Sequence, residues 1–467
     1  MRYKSTYSRF ARLVALLTLV TLLLTSCFTL DKPPAPEVNE QSKENIAANI
    51  QTSLDTGDNL YDYAADYMIK WGFPEFNKEK VTWAEQVFLL LYNYEGGFSL
   101  LKKDVLPRAA ELATMFLADY YDTVDLTDKD AVADAIINCW VKLSGDPYAV
   151  YRLPTEADNY DTDMSGKFGG IGVIVEYNHQ DRTIMVSEVL MNSPSEEVGL
   201  KVGDMVYAID GKTVDELGYL DAIYYVRGEI GTAVNLTVLR DGEYMDFSIV
   251  RREITESSVS YRKTEEGYGY IKVTSFKDNT DEQFIAAVDA LLSEGVTGMI
   301  FDMRDNLGGL VSSVVNMLSY ILPSDLPVIS YQYKNQAEKF IYTDTDLTSS
   351  GESIDMALDL PMVVLCNEYT ASAAEIFTSA VRDYRNDGAL SALTVGTLTF
   401  KKGIMQSGRV YPDGSSITLT VAYYNPPCGI NYHGIGIKPD VTVEDNEETE
   451  ADEQLNEAII RLGTLIN

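Results

Sequence analysis

The chain has 467 residues, 46% hydrophobic and 23% charged, enough to bury the cores of about two to four domains. Its 71 acidic against 37 basic residues give a formal net charge of -34, which repels phosphate backbones and excludes nucleic-acid binding as a main function. Only two histidines are present. Both sit in turn-like surroundings, His179 in a polar one and His433 in a Gly-rich one, which pushes any serine chemistry toward a lysine base.

Residues 1–12 carry Arg2, Lys4, Arg9 and Arg12, and Leu13 to Leu24 form an apolar run too short to span a bilayer alone, as in a secretory signal. The run ends in Leu24-Thr25-Ser26-Cys27, which resembles the bacterial lipoprotein processing box. Lipidation is therefore expected at Cys27, giving a protein outside the cytoplasm and anchored to a bacterial cell membrane. Residues 28–44, with Pro33, Pro34 and Pro36 and no apolar periodicity, read as a tether.

The other cysteines, Cys139, Cys366 and Cys428, make no CxxC pair and no metal-ligand spacing. Cys139 and Cys366 read as core thiols, and no disulfide scaffold, metal or organic cofactor is expected.

Residues 45–152 form a helical region. Trp83, Val87, Leu90, Leu91 and Tyr94 recur at helical spacing, as do Ala110, Leu112, Met115, Phe116 and Tyr120. From residue 168 to 252 short strand-like runs alternate with turn signals, including a hairpin at Asp241-Gly242 and helices near 195–198 and 219–225, so a compact, mostly β module is expected. Beyond Tyr268 strands and helices alternate: strands at 270–276, 299–303 and 362–365, each followed by an amphipathic helix. This is the pattern of an α/β layer with crossover connections. Residues 454–466 read as a last helix.

Ser372 lies in Tyr369-Thr370-Ala371-Ser372-Ala373-Ala374-Glu375, at a junction from buried strand to helix. Unsatisfied N–H groups gather there and could hold an oxyanion, although a serine in that place is more often a helix cap. The strand exit Asp302-Met303-Arg304-Asp305-Asn306-Leu307-Gly308-Gly309 could bring further donors to the same sheet edge, or be a tight turn only. In Thr399-Phe400-Lys401-Lys402-Gly403-Ile404-Met405-Gln406, a partly buried lysine would have the lowered pKa that a general base needs.

Together these segments resemble the C-terminal processing peptidases, or tail-specific proteases, S41-type serine peptidases with a PDZ domain. The resemblance runs from about Gly145 to Val443. It is carried in family order by Asp146-Pro147-Tyr148-Ala149-Val150-Tyr151, Phe168-Gly169-Gly170-Ile171-Gly172-Val173, Gly203-Asp204-Met205-Val206, the three segments above and Gly434-Ile435-Gly436-Ile437-Lys438-Pro439-Asp440. It implies a multidomain α+β protein: a helical N-terminal region, a small, mostly β PDZ domain over 160–252, and an α/β peptidase core with a layered sheet over 253–467.

The resemblance also implies Ser372 as nucleophile, Lys402 as base and Gln406 as the residue that orients it. Oxyanion donors are implied at Ala373 and at Gly308 or Gly309, and a loop for a substrate's terminal carboxylate at Gly169, Gly170, Ile171 and Gly172. Ala374 stands where the family usually has serine, Lys401 where it has glycine, and residues 386–393 lengthen the interval between nucleophile and base. The implied partners are proteins or peptides with accessible C-termini, with a homodimer possible through the helical region. A catalytically silent PDZ-bearing scaffold is the alternative, while a carbohydrate hydrolase has no matching motif.

Overall fold

The computed structural model describes residues 40–56, 64–93, 105–178, 183–333, 336–343, 358–444 and 451–466. The expected signal, Cys27, Tyr94 and His179 lie outside these. No described helix is long and apolar enough to cross a membrane.

The chain divides into two compact units, Met1–Asn59 with Lys70–Phe73, and Leu60–Ile69 with Pro74–Asn467. In the first, helix α1 (Glu40–Thr56) buries Ile46 and Ile50 on one face, and Trp71 donates to Ser53 at 2.7 Å. This helix begins inside the segment expected as a tether. Residues 40–44 are therefore helical, in keeping with the good helix formers Glu40, Gln41, Lys43 and Glu44.

The second unit opens with helices α2 (Ala64–Lys70), α3 (Lys78–Leu91), α4 (Val105–Asp119) and α5 (Lys129–Leu143). Asn77 and Asp128 cap α3 and α5 by accepting from first-turn N–H groups. On α3 the buried face runs through Val81, Ala84, Glu85 and Phe88, so Leu90, expected on the apolar face, falls on the opposite side and is 76% exposed.

Strand β1 (Val150–Arg152) and helix α6 (Pro154–Ser165) lead to β2 (Lys167–Gly170). The β module follows, with β3 (Val173–Asn178), β4 (Thr183–Val189), α7 (Pro194–Val198), β5 (Met205–Ile209), β6 (Lys212–Thr213), α8 (Val214–Leu217), α9 (Tyr219–Val226), β7 (Ala233–Arg240) and β8 (Glu243–Val250). Its sheet order is β3-β4-β5-β7-β8, with β6 on β5 and β3 at an edge. Val234, Leu236 and Val238 alternate into the core along β7. Asp241 and Gly242 turn the hairpin with φ of 52° and 86°.

Strand β9 (Arg252–Thr255) pairs back on β2, so the expected 160–252 boundary cuts through α6 and through a strand pair that joins the module to the rest.

The remainder is built on the sheet β10-β11-β12-β15-β16-β19, comprising Val259–Lys263, Gly269–Val273, Met299–Asp302, Met362–Cys366, Ala392–Gly396 and Val441–Thr442. All its pairings are parallel except β10 on β11. Helices α10 (Thr280–Ser293), α11 (Val311–Ile321) and α12 (Ala373–Asn386) cover one face, where Phe284, Phe301 and Phe377 meet in mutual ring contacts. Helix α13 (Glu453–Ile466) covers the other, with Ala458 and Leu462 over Val363, Leu365 and Val395. A strand covered on both faces must be apolar throughout, and the Met362–Cys366 run Met-Val-Val-Leu-Cys is.

A second sheet is antiparallel: β1, β18 (Ser416–Asn425), β13 (Pro327–Tyr333) and β14 (Lys339–Tyr342), with β17 (Ile404–Val410) on β18.

Candidate active site

Strands β12, β15 and β16 are parallel neighbours, so their carboxyl ends open at one edge of the sheet. The glycine turn follows β12, Ser372 follows β15, and the Lys402 segment follows β16.

The glycine turn is fixed from below. Asp302, fully buried, takes a bidentate pair from Arg304 and the Tyr270 hydroxyl at 2.7 Å. Arg304 also forks onto Asp452 at 2.8 Å through both nitrogens. The two carboxylates hold the guanidinium strongly protonated despite its burial. Asn306 donates to Val273 O, and its own carbonyl accepts from Ala371 N–H. A Cβ on Gly308 would stand 2.7 Å from Ser372 Cβ and 3.0 Å from Ala373 N, so the turn lies against the nucleophile's backbone.

Gly308 N–H donates to Asn306 Oδ1 at 2.9 Å. Of the two glycines named as donors, Gly309 is thus the one whose N–H has no acceptor among the described residues, as is Ala373 N–H.

Ser372 has φ 55° and ψ -116°, a backbone that non-glycine residues rarely adopt. Glu375 holds it there. Its fully buried carboxylate accepts Ser372 N–H and Lys402 N–H on Oε2, at 3.0 and 2.8 Å. It also accepts Lys401 N–H and the Thr399 hydroxyl on Oε1, at 2.8 and 2.6 Å. Burial raises its pKa, and these four donors oppose the rise. Lys401, φ 84°, is held in its own strained conformation by the same oxygen.

Lys402 Nζ donates to Gln406 Oε1 at 2.9 Å, and Gln406 Nε2 donates to Tyr148 O at 2.6 Å. The Tyr148 ring faces the amine at 4.8 Å. Burial lowers the pKa of Lys402 from the ordinary lysine value, against the opposing charges of Asp146 and Glu375. No hydrogen bond joins Lys402 Nζ to Ser372 Oγ among the described residues. The buried Tyr424 hydroxyl donates to Lys402 O at 2.9 Å, and the Ser372 side chain lies close enough to work against the burial that raises the pKa of this phenol.

In the β module, Gly169 and Gly170 belong to β2 and pair with Glu253 and Arg252, so only the second half of the expected carboxylate loop is a loop. A side chain at Gly169 would strike Gly228 O at 2.0 Å, which is why glycine is needed in that strand. Ile171 and Gly172, φ 77°, turn the chain into β3 above an apolar cavity of about 110 Å³ lined by Val175, Ile184, Val226 and Leu236. The outer edge of β3 pairs with no other strand among the described residues, and Tyr177 of β3 stacks on Tyr219 of α9 at 4.7 Å.

Ser372, Ala373, Gly308, Gly309, Lys402 and Gln406 thus gather at one place, while residues 169–172 lie in β2 and the turn into β3. Glu375, Tyr424, Tyr148 and the Asp302–Arg304–Asp452 cluster were missed as site residues. The signal for Glu375 was present, since Ser372-Ala-Ala-Glu375 has the spacing of a capping box.

The model of peptidase family S41 matches residues 267–443 and that of the PDZ domain matches 169–250. The "Carboxy-terminal processing protease CtpA" of Bacillus subtilis (strain 168) is 32% identical over 344 residues, 73% of this chain and 69% of that protein. The chain belongs to peptidase family S41. The "Probable CtpA-like serine protease" of Staphylococcus haemolyticus (strain JCSC1435) is also 32% identical, over 70% of this chain and 62% of that protein. The chain therefore spans about 62% of the length of this staphylococcal relative. Among solved structures, a photosystem II D1 C-terminal processing protease aligns over 81% of this S41 chain and 96% of its own, at 22% identity and TM-score 0.45.

Proposed function

We propose that the chain is a serine endopeptidase that cleaves envelope or secreted proteins near their C-termini, with Ser372 as nucleophile and Lys402 as general base. The observation that carries this reading is the half-buried Lys402 amine, its pKa lowered, tied to Gln406 while its backbone shares the Glu375 carboxylate with that of Ser372. Ser372 Oγ attacks the peptide carbonyl carbon as its proton passes to Lys402 Nζ. The N–H groups of Ala373 and Gly309 receive the negative oxygen that forms. The C–N bond breaks, and Lys402 returns its proton to the leaving amine. Water then attacks the acyl ester as Lys402 takes its proton, and the C–Oγ bond breaks as Lys402 passes that proton to Ser372 Oγ, freeing the carboxylic acid.

The step requires the Ser372 and Lys402 side chains to close on each other as substrate binds, a tightening common in such sites. A substrate C-terminus adds a strand to the open edge of β3, its carboxylate at Ile171–Gly172 and its last side chain in the apolar cavity. Lipidation of Cys27 keeps the enzyme at the membrane outside the cytoplasm, so Cys27→Ser should release it from the membrane fraction.

One observation favours a second reading, a silent scaffold that binds C-terminal peptides: among the described residues no hydrogen bond joins the Lys402 and Ser372 side chains. Mass spectrometry of products after incubation with unfolded and tail-bearing proteins separates the two. New cleavage products that depend on Ser372 support the peptidase, whereas peptide binding with no product supports the scaffold.

A further inference from the structure

The Asp146-Pro147-Tyr148 segment takes no part in the steps above, yet it reaches the base directly. A backbone carbonyl only accepts, so Tyr148 O draws the amide nitrogen of Gln406 toward itself and turns the amide oxygen to Lys402 Nζ. With the amide reversed, both contacts would be lost. The Tyr148 ring covers the amine on a second side.

The segment itself is rigidly held. Asp146 is 5% exposed, and it accepts Tyr148 N–H on one oxygen at 2.9 Å and Thr420 N–H of β18 on the other at 3.1 Å. Strand β1 continues the pairing with β18. Farther along, the almost fully buried Lys80 of α3 bridges Asp134 of α5 and Asp413 of the β17–β18 turn, both at 2.5 Å. The helical region is thereby clasped to the hairpin whose first strand bears Gln406.

We propose that Tyr148 is a positioning residue for the catalytic base: its carbonyl orients Gln406, and its ring shuts water away from Lys402 Nζ. The proposal rests on the Ser372–Lys402 reading. The groups facing Lys402 are Asp146 beside β1, Glu375 of α12, Tyr424 of β18 and Tyr148 itself, with the His433 ring edge-on to the Tyr148 ring at 6.2 Å. Asp146 and Glu375 favour the charged amine and burial disfavours it, burial being the larger effect. The ring acts both ways, drawing an ammonium to its face and excluding water, and exclusion prevails where burial dominates.

The test measures the titration of Lys402 by competitive acetylation across pH, read by mass spectrometry, in Ser372→Ala protein with and without changes at Tyr148. Tyr148→Ala, which keeps the backbone carbonyl and removes the ring, should move the Lys402 pKa up by about half a unit or more, and Tyr148→Phe, which keeps both, should hold it at the unsubstituted value. Where the serine is intact, the rising limb of kcat/KM should move with it, with kcat lowered more than KM is changed. An unmoved Lys402 titration in folded Tyr148→Ala overturns the proposal. If Tyr148→Ala does not fold, Tyr148→Ser, small and polar and so equally open to water, replaces it, with the same shift expected and the same null result decisive. Because the acetylation readout needs no turnover, an inactive wild-type chain would sink the peptidase reading while leaving the placement of Tyr148 separately decided.

Discussion

Ser372 and Lys402 hang from one atom: the backbone N–H of each donates to Glu375 Oε2, at 3.0 and 2.8 Å. The serine turn after β15 and the lysine turn after β16 are set relative to each other by a single buried carboxylate.

Glu375→Gln keeps the shape but can face an amide NH2 toward two N–H donors. Each buried donor left without an acceptor costs about 1–3 kcal/mol. The expected result is a lowered melting temperature and a fall in kcat far larger than any change in KM. Unchanged kcat in a folded Glu375→Gln protein would show that the shared carboxylate does not set the dyad.

Lys402 must be neutral to accept a proton, and burial lowers its pKa. Activity should therefore be low in acid, where the amine is charged, and rise as pH climbs through the lowered pKa, with the limb below that of an ordinary lysine. A pH profile of kcat/KM checks this. A limb no lower than the ordinary lysine value would contradict it. Lys402→Arg, which stays charged, should be inactive throughout.

Gly308 has φ 100°, and a Cβ there would press on Ser372 Cβ, Ala371 O and Ala373 N at 2.7 to 3.0 Å. Gly308→Ala should displace the oxyanion donors, with turnover falling about a hundredfold or more while the β module melts as before. Full activity in Gly308→Ala would place the oxyanion elsewhere.

The fold was legible where burial imposes a simple pattern. The apolar strands 299–303 and 362–365, and the helices after them, announced a layer covered on both faces, and the glycine-rich and serine exits followed from it. The second sheet was not legible, because β18 pairs with residues 150–152, distant in sequence, and no local period records such a partner. The same holds for the site: Ser372, Lys402 and Gln406 are carried by local motifs, whereas Tyr148 and Tyr424 reach the base only through tertiary contacts. The resemblance implied a loop at Gly169 and Gly170, but both pair with β9, and backbone crowding by Gly228 explains glycine at 169 within a strand.

The β module should bind peptides through a free terminal carboxylate and an aliphatic last residue, given the apolar lining of its cavity. Amidating the peptide's C-terminus should weaken binding about tenfold or more, since a charge-assisted hydrogen bond is worth about 1.5–3 kcal/mol. Fluorescence anisotropy with a free and an amidated peptide measures it. Equal affinities would remove the carboxylate loop from the account.

The most direct measurement is the rate at which purified protein cleaves a tail-bearing reporter, compared among the intact chain, Ser372→Ala and Lys402→Ala. The account predicts turnover by the intact chain and a loss of about a thousandfold or more in each variant, with the fold retained. Turnover surviving in either variant, or none in the intact chain, would contradict it.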